Sequence, residues 1–245
     1  MTTTPTAPTG GTPRLRTSAM IASFADPGQR TTPAPFGHTL AGLAESDPRI
    51  VGLSADLAKY TDMHVFRDAP PQRFFQMGMA EQAMLGAAAG MAEAGLVPFA
   101  STYSVFATRR AYDFLCLDIC EPALNVNVVG ALPGLTTGYG PSHQATEDLA
   151  ILRACPGLTI VDPCDAVDIE QAVPQLAAHD GPTYLRLLRG SVPRVLDEYD
   201  YRFRLGHGAE LRSGRDVVLL STGLMTMRAL DAARRLEADH VDVRV

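Results

Sequence analysis

Four places in this chain carry side chains suited to chemistry: Asp56 in SAD, Glu81 in GMAEQ, the ring-bearing stretch Tyr103 to Phe106 in TYSVF, and His143 in GYGPSHQ. Carboxyl and imidazole groups exchange protons, and aromatic faces hold flat uncharged rings. Glu81 heads a run of small and apolar residues, EQAMLGAAAGMAEAG, where a carboxyl is poorly solvated and gains much from a hydrogen-bond partner. The plainer reading is that Glu81 offsets the dipole and free N–H groups of a helix start. A loop histidine such as His143 is, by the same reasoning, usually a solvated side chain. Phosphate loops of the GxxxxGK[ST] or GxGxxG type are absent. A hydrolase set of Ser142 or Ser101, His143 and an aspartate can be drawn up, but no GxSxG elbow follows a strand.

To act together, these residues must be carried to one edge of a scaffold. From Phe36 the pattern alternates. FGHTLAGLAES has helical spacing, RIVGLSAD is a short strand breaking into a polar loop at Asp56, and RFFQM is a strand before the helix that Glu81 opens. VPFAST then reads as a strand, VFATRRAYDFLCLDIC as a helix, ALNVNVVGA as a buried strand and GLTTGYGPS as a Gly-rich loop. A short helix in ATEDLAILRAC, a strand LTIVDP, a helix from Ala166 to His179 and a strand TYLRLL follow. Strands alternating with helices predict an α/β fold, a mostly parallel sheet with helices on both faces. In such sheets sites form at the carboxyl ends of strands, where all four candidates fall.

Residues 1–33, rich in Thr, Pro and Gly, predict a flexible leader. Residues 34–200 form the main domain. Residues 206–245, with DVVLLSTG, MTMRALDAARRLEAD and HVDVRV, predict one βαβ unit, the start of a second α/β domain that cannot close a core alone. The 245 residues are 46% hydrophobic and 20% charged, enough for one large core. A net charge of −6, with twenty arginines scattered beside the single lysine Lys59, provides no basic field for nucleic acid. Cys116, Cys120, Cys155 and Cys164 lack zinc-site spacing and read as buried free thiols, with Cys116 and Cys120 one helical turn apart, in keeping with a cytoplasmic location. No apolar run reaches the length of a membrane span.

Taken in order, GMAEQAMLGAAAGMAEAGLVPFASTYSVFATRRAYDFL, GYGPSHQATEDLAILRACPGLTIVDPCDA and GPTYLRLLRGSVP resemble the pyrimidine-binding domain of the transketolase family, from about Phe36 to Pro193. DVVLLSTGLMTMRALDAARRLEADHVDVRV resembles the opening of that family's C-terminal domain. The resemblance implies thiamine diphosphate as cofactor and transfer of a two-carbon ketol unit from a ketose to an aldehyde. It also implies a role for each matched residue. Glu81 bonds N1′ of the aminopyrimidine, Phe106 stacks on that ring, and Tyr103 lies near it. His143 faces the reacting centre, Arg189 binds a sugar phosphate, and Asp56 lies near the cofactor at a subunit contact. Arg186 is the weaker choice for phosphate, since alternation along TYLRLLR points it elsewhere.

Three departures stand out. The loop carries Tyr139 where many relatives have an acid reading a ketose hydroxyl, and GALPG around Leu132 replaces a family histidine; Arg30 is merely close to the family's second phosphate arginine. No GDG motif is present. The resemblance therefore implies that this is the second subunit of a split enzyme. A partner chain would hold the diphosphate on Mg2+ or Ca2+ in an α2β2 assembly, with no metal ligands here. Related chemistry on the same scaffold, as in 1-deoxyxylulose-5-phosphate synthase or a 2-oxoacid dehydrogenase beta subunit, and a non-catalytic scaffold subunit are the alternatives.

Overall fold

The computed structural model describes residues 25, 26 and 28–245, so residues 1–24 and 27 of the expected leader lie outside the described residues. The main domain begins with β1 (Thr31–Pro33), α1 (Pro35–Ser46), β2 (Ile50–Ser54), α2 (Met63–Asp68), β3 (Phe74–Gln76), α3 (Glu81–Glu93) and β4 (Val97–Tyr103). A helix then runs through π-type turns at Phe106–Arg110 and Leu115–Cys120, on either side of α4 (Tyr112–Phe114). It is followed by β5 (Asn127–Ala131), α5 (Asp148–Leu152), β6 (Thr159–Val161), α6 (Ala166–Ala177), β7 (Thr183–Leu187) and β8 (Ser191–Pro193). The second unit holds β9 (Val217–Val218), α7 (Leu224–Glu237) and β10 (Val243–Arg244).

Six strands form a wholly parallel sheet in the order β3-β2-β4-β5-β7-β6. β2, β4 and β5 are buried along their whole lengths, which is why they read as unbroken apolar runs rather than as alternating ones. One face is covered by α1, α2 and α6 through Phe36, Leu40, Phe66 and Ile169. The other is covered by α3, the 106–120 helix and α5 through Leu85, Leu115, Ile119 and Leu152. α3 buries Met84, Leu85, Ala88 and Ala89, a stripe at helical spacing with Glu81 at its head. Gly130 in β5 leaves room for Tyr184: a Cβ there would collide with the Tyr184 hydroxyl and lie 2.8 Å from Ser104 Oγ. That hydroxyl donates to Asp148 at the start of α5, at 3.2 Å.

Three expectations are corrected. Thr31–Pro33, assigned to the leader, pairs antiparallel with β8, because Thr32 and Val192 face each other in register. The polar loop after Asp56 contains a 3-10 turn, Ala58–Thr61, and α2, whose Met63 and Phe66 reach the core. The four cysteines are free thiols as expected and Cys120, Cys155 and Cys164 are buried, but Cys116 is only partly so, its Sγ 3.2 Å from that of Cys155. The second unit does form βαβ, with β9 parallel to β10, and α7 packs Met227 and Leu230 onto the main core. No helix among the described residues is long and apolar enough to cross a membrane.

Candidate active site

All six predicted site residues stand at or just beyond the carboxyl end of a parallel strand: Asp56 after β2, Glu81 after β3, Tyr103 and Phe106 around the end of β4, His143 after β5 and Arg189 after β7. Three of them form one aromatic group. The Tyr103 and Phe106 rings stack at 5.8 Å and 18°, and the His143 ring meets Phe106 edge-on at 5.4 Å. Tyr139, noticed in the sequence only as a departure, closes against His143 at 5.1 Å. Burial pushes the Tyr103 phenol up to about 12, with Tyr139 adding to the shift and Arg189 opposing it, so it is a neutral hydroxyl at working pH.

Glu81 is joined to this group by a residue that the motifs did not mark. Arg110 Nη1 donates to Glu81 Oε2 at 2.8 Å, and its guanidinium lies 4.5 Å from the centroid of the Phe106 ring. The Glu81 side chain is 2% exposed and that of Arg110 43%. The small residues of α3 therefore do not leave the acid in a purely apolar wall; its partner is an arginine reaching in from the open side. The two residues stand 29 positions apart in the chain, so no local pattern marks the pair.

The loop bearing His143 is pinned at several points. Gly134 N–H donates to Ala145 O at 2.8 Å, and Gln144 Nε2 to Thr137 O at 3.0 Å. Arg109 pairs with Glu147 and donates to Pro141 O at 3.3 Å and Gln144 O at 3.4 Å. The Arg109 bond holds the Glu147 carboxyl down at about 2. His143 Nδ1 lies 2.8 Å from Ser142 Oγ.

Arg189 lies beside the aromatic group, its guanidinium 5.9 Å from the Tyr60 ring, with Nη1 donating to Lys59 O at 3.2 Å. Its Nε is buried without a hydrogen-bond partner among the described residues. Beneath it, burial raises the Asp62 carboxyl, against the pull of the Gly190 N–H and Arg189. Arg186 is indeed elsewhere, its three nitrogens committed to Asp148 and Asp162. Asp56 is not drawn in: it is exposed, its N–H donates to Gln76 Oε1 at 2.7 Å, and it makes no hydrogen bond or ion pair with the other five. Asp56, Asp62 and Leu132 have φ of 60°, 57° and 55°. Left-handed backbone at non-glycine residues costs about 1 kcal/mol or more each and clusters where geometry serves a site.

The chemistry on offer is an acid bridged by Arg110 to a flat ring face, a histidine meeting that ring edge-on, and an arginine with a spare donor. Among the described residues no group of three or more His, Cys, Asp or Glu is placed to hold a metal ion.

Comparison with known proteins gives this arrangement a family. Residues 29–194 match the pyrimidine-binding domain of transketolase, more than half of the chain. The chain belongs to the transketolase family. It is 66% identical over 233 residues to an uncharacterized transketolase family protein of Sinorhizobium fredii, covering 95% of this chain and 68% of that protein. It is 41% identical over 203 residues to a 6-deoxy-6-sulfo-D-fructose transketolase subunit of a Clostridium species, covering 82% and 63%. A solved split-gene transketolase, described as an inactive beta4 tetramer, superposes with a TM-score of 0.79 at 43% identity, covering 89% of this chain and 71% of that one. The chain thus spans about two thirds of the length of such relatives.

Proposed function

We propose that this chain is the pyrimidine-binding subunit of a transketolase that moves a two-carbon ketol unit from a ketose to an aldehyde, working with a partner chain that binds the cofactor's diphosphate. The observation that carries this reading is the buried Glu81 carboxyl at the head of α3, linked through the Arg110 guanidinium to the face of Phe106. When bound, thiamine diphosphate supplies the carbon nucleophile and electron sink that ketol transfer needs and that side chains lack. The residues present fit its aminopyrimidine end: Phe106, backed by Tyr103, offers a ring face, and Glu81 offers a carboxyl to the ring nitrogen. Glu81 shares the proton at that nitrogen. His143 holds or moves a proton on a substrate oxygen. Arg189, with its free Nε, takes the anionic end of the ketose.

The Clostridium relative is named for a sulfonated sugar, so that anion is a phosphate or a sulfonate; a planar arginine fork suits both. Asp56 is assigned to the subunit contact, since it is exposed beyond β2 and apart from the rings. The metal, Mg2+ or Ca2+, belongs with the diphosphate on the partner subunit, in an α2β2 assembly. Likeness to a split-gene enzyme supports the division of the site. Solution in the cytoplasm follows from the same reading. The test is ketol transfer by this chain co-purified with its diphosphate-binding partner. Glu81→Ala is expected to lower the rate by about 10²–10⁴-fold; full activity in that variant would remove Glu81 from the mechanism.

A further inference from the structure

We infer that Arg110 is a placeholder for the cofactor ring, so that its guanidinium must swing off Glu81 and Phe106 before an aminopyrimidine can be seated. This rests on the reading of Glu81 and Phe106 just given. A guanidinium and an aminopyrimidine are both flat, nitrogen-edged groups, and both satisfy the same two demands, a bond to a carboxyl and stacking on an aromatic face. Arg110 meets both at once, with Nη1 2.8 Å from Glu81 Oε2 and its central carbon 4.5 Å from the Phe106 centroid. Stacked rings need centroid separations of about 4.5 Å or more, so no ring fits between the guanidinium and Phe106.

Arg110 is also built to leave. Its side chain is nearly half exposed, and Glu81 is its sole ion-pair partner among the described residues. Neighbouring Arg109, by contrast, is tied to Glu147 and to two carbonyls of the His143 loop. While engaged, Arg110 donates to a Glu81 carboxyl that would otherwise be buried with no charged partner; a bound ring instead accepts at its nitrogen, so the exchange of guanidinium for ring goes with a proton on Glu81. The free chain is then shielded from unproductive ligands at Glu81, and cofactor affinity is reduced by the fraction of molecules in which Arg110 is engaged.

The experiment titrates thiamine diphosphate with Mg2+ into the co-purified pair, wild type against Arg110→Met and Arg110→Gln, by calorimetry and by stopped-flow quenching of tyrosine fluorescence. Removing the competitor should tighten binding by about tenfold. The observed rate should saturate with cofactor concentration in the wild type and stay linear in the variants. In the wild type alone, added salt should speed ring entry by loosening the Glu81–Arg110 pair. Equal or weaker binding in both variants, or a rate slowed by salt, overturns the placeholder while leaving the cofactor assignment intact. No binding by the wild-type pair at all would sink both.

Discussion

Two arginines end up on carboxylates near the carboxyl edge of the same sheet, and they differ in almost everything else. Arg186 is 18% exposed and grips Asp148 and Asp162, themselves 1% and 10% exposed, through Nε, Nη1 and Nη2. Burial alone would lower its pKa, yet the Asp148 bond and both carboxylates outweigh that and raise it. Tyr184 and the βαβ unit, through Thr222, complete the network. Arg110 has one acid and an open side. The first arrangement has all three nitrogens committed and cannot exchange partners cheaply; the second is satisfied but replaceable.

The largest expected contrast is in stability. Arg186→Met strands two buried carboxylates and should cost about 3–5 kcal/mol in urea unfolding; Arg110→Met strands one, Glu81, and should cost less, about 1–3 kcal/mol. Equal losses would show that both pairs are structural. A smaller effect concerns pH. Burial raises the Asp162 carboxyl above the ordinary aspartate value, with Arg186 and Thr222 opposing. A raised acid contributes stability that is present below its unfolded pKa and is lost as pH rises through its folded one. Asp162→Asn should therefore flatten the fall in the urea midpoint as pH rises above the ordinary aspartate range. Parallel wild-type and variant profiles would remove Asp162 as the cause. The smallest effect is expected at Arg109. Its pair with Glu147 is exposed, and because that carboxyl is depressed, the contribution is complete above the ordinary glutamate range and lost only as pH falls through about 2. Arg109→Ala should leave the melting temperature unchanged and lower kcat by about tenfold or less through a looser His143 loop.

The parallel sheet was legible because β2, β4 and β5 are buried on both faces and so advertise themselves as apolar runs. The roles of Glu81, Phe106 and His143 came from motif order, and the fold sets all three at one edge. Arg110 was not legible, since nothing local separates it from Arg109 or Arg186; which carboxylate each one meets depends on contacts 24 or more positions away in the chain. Short β1 was missed for a related reason. Thr-Thr-Pro has no apolar period of its own, and its pairing is made with residues near 192. α2 was hidden because its few core residues, Met63 and Phe66, sit in an otherwise polar sequence.

That same small ribbon has an architectural consequence. The family match begins at residue 29 and ends at 194, and β1 and β8 bring those two limits side by side, with Arg194 N–H donating to Arg30 O. A module whose entry and exit are adjacent can be spliced into another chain, or detached from one, without disturbing its interior. Whether such a domain stands on a short polypeptide or within a longer one then becomes a matter of gene arrangement rather than of folding.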